Sequence, residues 1–372
     1  MTTHTSHRTA LLFVLAVSLV CTDICFMACS AFAKTVTLFD VTDYTAQDGD
    51  ILAGLAGKDT HITVADGATI TLKNAAIINI STNHSWAGIT LLGDATIILM
   101  GSNEVKGGDE SYPGILVPEN STLTIKGSGS LTVSSNGSGA GIGGRTQHSC
   151  GNIIIDGGNI TAKGSDGGAG IGGSSQGSCG DITINGGIIT ATGGRGLPGI
   201  GGSSQGSCGN ITINGGIIIA TGGDGAAGIG GASQGSCGNI KIKCETLAAI
   251  GGEGASGIGS SSQGSCGTIT INDGTIIATG GNGAAGIGSG SQGSCGNITI
   301  NRGNITAKGG NNAAGIGTGL QGSREKMDIT IKRTVTKITV IKGDSASDYI
   351  GAGLQGKVGS VNIQNGSNII EY

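Results

Sequence analysis

The chain has 372 residues, a formal net charge of −4, and 77 glycines against only 3 prolines. Gly is about three times its usual share of about 7%, yet it has no every-third-residue period, which excludes collagen. Aromatics make up 2%, too few for a bulky globular core, and no basic stripe exists to suit nucleic acid.

The first 33 residues read as a targeting segment. His7 and Arg8 precede an apolar run from Leu11 to Val20, and Ala31-Phe32-Ala33 supplies a small-residue cleavage pattern before Lys34. Asp23 interrupts the apolar stretch too early for a membrane span. The alternative is a lipobox at Phe26-Met27-Ala28-Cys29, which would leave Cys29 lipidated. Either way the expectation is an exported protein, secreted or at the cell surface, with no transmembrane span in the mature chain.

Residues 34–137 alternate apolar and polar positions in stretches such as HITVADGATITLKNAAIINI and GITLLGDATIILMGSNEVKGG. These predict irregular coils with longer loops, starting near Val36. Two insertions break the pattern. Thr82–Gly88 holds Trp86, the only Trp, and Gly107–Gly114 places Asp109, Glu110 and Tyr112 together. An aromatic face beside a few polar groups is how sugars are commonly held, so Trp86, Asp109, Glu110 and Tyr112 are the candidate ligand-binding residues.

Residues 138–323 are governed by a fixed period. Copies begin at Cys150, Cys179, Cys208, Cys237, Cys266 and Cys295, each step being 29 residues (179 − 150) without insertion. A constant period in this range marks a solenoid. The first segment of each copy reads NIIID, DITIN or NITIN, with Ile alternating against Thr, the period of a strand with one apolar face. Ile182 and Ile184 should point inward and Thr183 outward; Ile189 and Ala191 should share the inner face of the second segment. A third segment centres on one Ile within Gly-Ile-Gly, from Ile171 to Ile316. Three short strands and three Gly-rich corners predict one coil of an all-β, single-stranded, right-handed parallel β-helix. Coils would stack about 4.8 Å apart, right-handed because parallel crossovers nearly always are. Residues 324–372 keep the strands in irregular form and close the fold. About 11 or 12 coils are expected over the mature chain.

Stacking turns repeated residues into ladders. Gln176, Gln205, Gln234, Gln263, Gln292 and Gln321 predict a polar amide ladder, as do Asn185 and Asn214. The six cysteines predict a structural column, Cys150, Cys179, Cys208, Cys237, Cys266 and Cys295. In-register side chains hold their Cβ atoms slightly far apart for a relaxed disulfide. A buried thiol column is therefore the preferred reading, and disulfides between neighbours the alternative.

The motif block GITLLGDATIILMGSNEVKGG followed by the GAGIGG and GNITINGG copies resembles exported bacterial β-helix proteins described as carbohydrate-binding-domain proteins. The likeness runs from about residue 60 onward. It implies a non-catalytic relative of the pectate-lyase-like β-helices that meets polysaccharide or cell-surface glycan. In some members of that group, acidic plant polysaccharide and calcium are involved.

Other motifs resolve to structure. GAGIGG at Gly139–Gly144 matches a dinucleotide fingerprint, but no helix follows to meet a pyrophosphate, so no nucleotide cofactor is expected. GGDGAAGIG at Gly222–Gly230 has Ala227 where a calcium nonapeptide needs Asp. No cofactor is expected from the repeats; calcium at another acidic loop stays open, and the metal assignment is left unknown. The sheet faces of the repeats are nearly free of Asp, Glu and His, so no catalytic residue is assigned. The expected function is non-enzymatic carbohydrate binding or adhesion. The alternatives are a structural surface rod and a degenerate polysaccharide-active enzyme.

Overall fold

A computed structural model describes residues 33–78, 85–108, 111–322 and 327–372. The chain divides into Met1–Lys34 and Thr35–Tyr372, and the second unit carries the fold. The export-signal reading, with Cys29, falls on residues 1–32, outside those described. No helix among the described residues is long and apolar enough to cross a membrane.

Thr35–Tyr372 is an all-β parallel solenoid. Each 29-residue copy lays down one rung with three main strands. In the copy starting at Cys179 these are Ile182–Ile184, Ile188–Thr192 and Ile200–Gly201. Every strand pairs in parallel with its counterpart one rung away. On the first face Ile153, Ile182, Ile211, Ile240, Ile269 and Ile298 stand in register. On the second, Ile160, Ile189, Ile218, Leu247, Ile276 and Ile305 do so. The third face is a twelve-stranded sheet running from Asp43–Ala46 to Ile350–Gly351.

The alternating pattern sets what is buried. Ile182 and Ile184 are wholly enclosed while Thr183 between them is half-exposed. Ile189, Ala191 and Ile200 complete the interior of the same rung. Burying an Ile side chain contributes about 1.5–3 kcal/mol, and a single coil has nothing to bury it against. Stacking supplies the partner, so one apolar core runs from Val36 to Ile350.

The tightest constraint lies on the third face. Gly143, Gly172, Gly201, Gly230, Gly259, Gly288, Gly317 and Gly351 all adopt φ between 131° and 141°. A Cβ on Gly230 would lie 1.9 Å from the carbonyl oxygen of Gly259 on the next rung. The second Gly of each Gly-Ile-Gly is therefore fixed by both backbone conformation and the closeness of the next rung.

Two features differ from the three-strand expectation. A fourth, short ladder forms where Ser207–Cys208, Ser236–Cys237, Ser265–Cys266 and Ser294–Cys295 pair in parallel. Its backbone is already extended as it runs into the first-face strand, so it finds the same partner one rung away. In addition, the first two strands fuse into single strands at Ala68–Ile78, Ile240–Ile250 and Ile269–Thr279. In the second the Gly-Gly turn is replaced by Cys244-Glu245, and the chain bends without leaving the sheet; in the first, Asn74 turns the chain at φ 49°.

Candidate functional site

Two aromatic residues, Trp86 and Tyr112, stand at one corner of the N-terminal rungs, just before the third face. Trp86 lies three residues before Ile89, and Tyr112 three before Ile115. Ile89 and Ile115 are register partners, so the two aromatics occupy the same position on successive rungs. Backbone carbonyls of both are held: Gly108 N–H, on the insertion, donates to that of Trp86 at 3.2 Å, and Ser135 Oγ, from the following rung, to that of Tyr112 at 2.9 Å. Asp109 and Glu110, on that insertion, lie outside the described residues.

Polar groups extend the corner in both directions. The His61 ring packs against Trp86, with centroids 5.1 Å apart and a 39° tilt. His61 Nδ1 lies 3.3 Å from Asp43 Oδ1, its register partner one rung earlier. On the other side the Arg145 guanidinium sits 5.2 Å from the Tyr112 ring centroid. Arg145 also donates to the Tyr112 hydroxyl at 3.0 Å and approaches His148 Nε2 at 2.7 Å. His148 Nδ1 lies 2.9 Å from the Thr146 carbonyl. Because that carbonyl can only accept, Nδ1 carries the proton and Nε2 accepts from Arg145. Asp43, His61, Trp86, Tyr112, Arg145 and His148 thus form a part-exposed strip of rings and charges across successive rungs. His61, Asp43 and Arg145 were not foreseen from the sequence. Aligning the rungs on their third-face strands is the signal that would have found them: Asp43 and His61 stand one position ahead of Tyr44 and Ile62, and Arg145 three after Ile142.

In the repeats the same corner position holds Gly168, Leu197, Ala226, Ala255, Ala284 and Ala313. From Leu197 onward these are buried, leaving no ring to meet a ligand.

The repeats carry ladders instead. The six column cysteines are register neighbours from rung to rung. All are buried and none is in a disulfide. Cys150 Sγ donates to the Gly172 carbonyl at 3.4 Å and Cys295 Sγ to that of Gly267 at 3.6 Å. Hydrogen bonds with both neighbouring thiols, and then burial, push Cys179 and Cys266 well above the ordinary thiol range. Cys237 is shifted the other way, through its side-chain interactions with Cys208 and Cys266. Cys244 stands apart on Ile240–Ile250; burial, then the charges of Glu245 and Asp273, push it up to about 12.

The amide ladder forms from Gln205 through Gln321, with links of 2.9–3.4 Å, and Gln355 extends it at 2.8 Å; Gln176, expected to be part of it, instead accepts from Gln147 at 3.2 Å. Each of these Gln residues adopts φ between 53° and 64°, a conformation that costs a non-glycine residue about 1–2 kcal/mol. Asn214 donates to Asn185 at 2.8 Å, the second expected ladder. A further ladder was not foreseen. Asp66, Asp94, Asn152, Asp181, Asn210 and Asn239 each accept, at the side-chain oxygen, a backbone N–H from the next rung. They sit just ahead of each first-face strand and satisfy donors that the corner would otherwise leave open.

A family model described as beta helix repeat matches residues 153–175, 182–204, 211–233, 269–291 and 298–320. The copy it passes over holds the Cys244-Glu245 replacement of the Gly-Gly turn. No curated protein and no solved structure matches the chain.

Proposed function

We propose, for this β-helix repeat protein, that it is an exported, non-enzymatic protein that binds polysaccharide or a cell-surface glycan through the corner of its N-terminal rungs. One observation carries the reading: Trp86 and Tyr112 hold the same position on successive rungs, flanked by Asp43, His61 and Arg145. A rung repeat of about 4.8 Å brings two rings close enough to meet one sugar chain. Apolar sugar faces stack on such rings while hydroxyls take hydrogen bonds from the polar groups at their edges. Asp109 and Glu110 lie between Gly108 and Tyr112 in the sequence, and a calcium ion bridging those carboxylates to an acidic glycan is part of the proposal. The test is a glycan array read with and without calcium, using the wild type and Trp86→Ala and Tyr112→Ala variants. Binding that either variant abolishes supports the assignment. Binding that both retain in full places the ligand elsewhere.

A second reading, a structural surface rod, is favoured by the second face of the repeats. Ile219 and Ile277 point outward there, 45% and 47% exposed, on a flat ladder with Thr190 and Thr306. Lateral packing of copies would cover these side chains. Sedimentation at rising concentration separates the readings, since only the rod requires reversible association that Ile219→Lys abolishes.

A further inference from the structure

The thiol column offers chemistry that glycan binding does not use. Six cysteines stand on six consecutive rungs, buried, unoxidised and with their backbones in register. Among the described residues, no three or more His, Cys, Asp or Glu side chains converge to hold a metal ion, so a tetrahedral zinc site is excluded. A two-coordinate site needs only two ligands, facing each other along a line.

The geometry discriminates between the bonds a stacked pair can form. A relaxed disulfide wants Cβ atoms about 3.8 Å apart, whereas an in-register ladder repeats at about 4.8 Å. A metal–thiolate bond is about 2.3 Å long, so sulfur–metal–sulfur in a straight line spans about 4.6 Å. The ladder is too open for one bond and the right length for the other. Soft thiolates select soft d10 cations, Cu(I) among them. The column also opens to solvent at one end, in a cleft lined by Glu119, Asn120, Asn152, Cys150 and Cys179. The Glu119 carboxylate there favours an arriving cation.

We infer that the column binds a soft monovalent cation, Cu(I) or Ag(I), between the thiolates of successive rungs, loading first at Cys150 and Cys179. Each ion forms two metal–sulfur bonds and releases the two thiol protons to solvent. No electron is transferred, so the ion enters and leaves as the monovalent species. Six column thiols taken two per ion give three ions at saturation. Thiols held protonated by burial and by their neighbours make loading proton-coupled, weakening as pH falls.

Two variants of the full chain test adjacency at a constant number of thiols. Cys179→Ser/Cys237→Ser/Cys295→Ser leaves Cys150, Cys208 and Cys266, about 9.6 Å apart at two rungs each. Cys237→Ser/Cys266→Ser/Cys295→Ser leaves Cys150, Cys179 and Cys208 on adjacent rungs. Cys21, Cys25, Cys29 and Cys244 are present in both, so the readout is the difference between them. Reduced protein is titrated with Ag(I), and with Cu(I) under anaerobic conditions, while bound metal is measured after dialysis. The adjacent variant should keep a tightly held ion that the alternating variant loses. Equal binding by the two overturns the inference. X-ray absorption of the Ag(I)-loaded wild type serves as a second measurement if a variant fails to fold. Two sulfur neighbours per ion uphold the inference, and a nitrogen or oxygen shell overturns it.

Discussion

The N-terminal rungs and the 29-residue copies share one coil and one apolar interior, but they use their outer positions differently. Successive first-face strands hold Ala68, Ala95, Leu123 and Ile153 in register, with steps of 27, 28 and 30 residues. Insertions absorb the differences, and those insertions carry the Trp, the paired acids and a Tyr. From Cys150 to Cys295 the step never changes, and several positions repeat their chemistry: Gln on Gln and Ser on Ser outside, Cys on Cys within. Uniform stacking makes ladders that depend on sameness, whereas a recognition surface depends on rungs that differ. Under the proposed glycan-binding function, the repeats would set length and rigidity while the irregular rungs present distinct side chains.

The sharpest contrast is at glycine. Gly230→Ala drives a Cβ into the next rung's backbone at φ 135°, whereas Gly67, at φ 74°, has nothing within 4 Å of its would-be Cβ. Gly230→Ala should cost roughly 3–5 kcal/mol, at the severe end for single substitutions. Gly67→Ala should cost only the conformational term of about 1 kcal/mol. Urea midpoints of the two variants measure both. Equal costs would mean that stacking closeness does not distinguish the two regions.

Buried aliphatics should show the opposite, a shared property. Ile229 in the repeats and Leu91 in the N-terminal rungs are both fully enclosed. Truncating either to Ala should cost about 2–5 kcal/mol, read from the same urea transitions. A much smaller cost at Leu91 would show that the irregular rungs open independently of the repeats.

How much of this could be read from the chain depended on whether a feature repeats. Ile182, Ile184 and Ile189 were legible because alternation marks an inner face, and the cysteine column because one interval recurs without exception. The Ser–Cys ladder was not, since two residues carry no periodicity. The Asp and Asn ladder was hidden because its members alternate in type and act on a backbone N–H in the following rung. At the aromatic corner the residues were legible but their meeting was not. Trp86 and Tyr112 are separated by an insertion whose length obscures their register, and Arg145 joins them only through the coil. The cysteine column reads as packing because one thiol per rung supplies no converging ligand set.

A smaller effect separates a laddered residue from an isolated one. Gln263 links to Gln234 and Gln292 at 3.1 Å each while held at φ 55°. Asn120, in the N-terminal rungs, has φ 65° and no place in that ladder. Gln263→Ala should cost about 1 kcal/mol for two exposed hydrogen bonds. Gln263→Gly should be nearly neutral, because relief of the left-handed backbone offsets them. Asn120→Gly loses no ladder and should be neutral or slightly stabilising. Thermal midpoints resolve the three, and a Gln263→Gly cost equal to that of Gln263→Ala would show that the backbone term is absent.

The smallest expected effect lies in the N-terminal rungs and depends on pH. The Tyr44 hydroxyl donates to Asp50 Oδ2 at 2.7 Å, and the Gln47 N–H donates to the same oxygen at 2.8 Å. Burial, then the hydrogen bond to Asp50 and its negative charge, push Tyr44 up to about 12, against about 10 in an unfolded chain. The neutral phenol is thus favoured in the folded state. Its contribution is complete below pH 10 and is lost as pH rises from about 10 to about 12. Thiols and lysines titrate nearby, so the quantity to measure is the difference between wild type and Tyr44→Phe. That difference should be constant up to about pH 10 and shrink above it. Because the repeats contain no Tyr between Tyr112 and Tyr349, this alkaline loss belongs to the irregular rungs. A difference that stays flat to pH 12 would mean that the phenol gains nothing from Asp50.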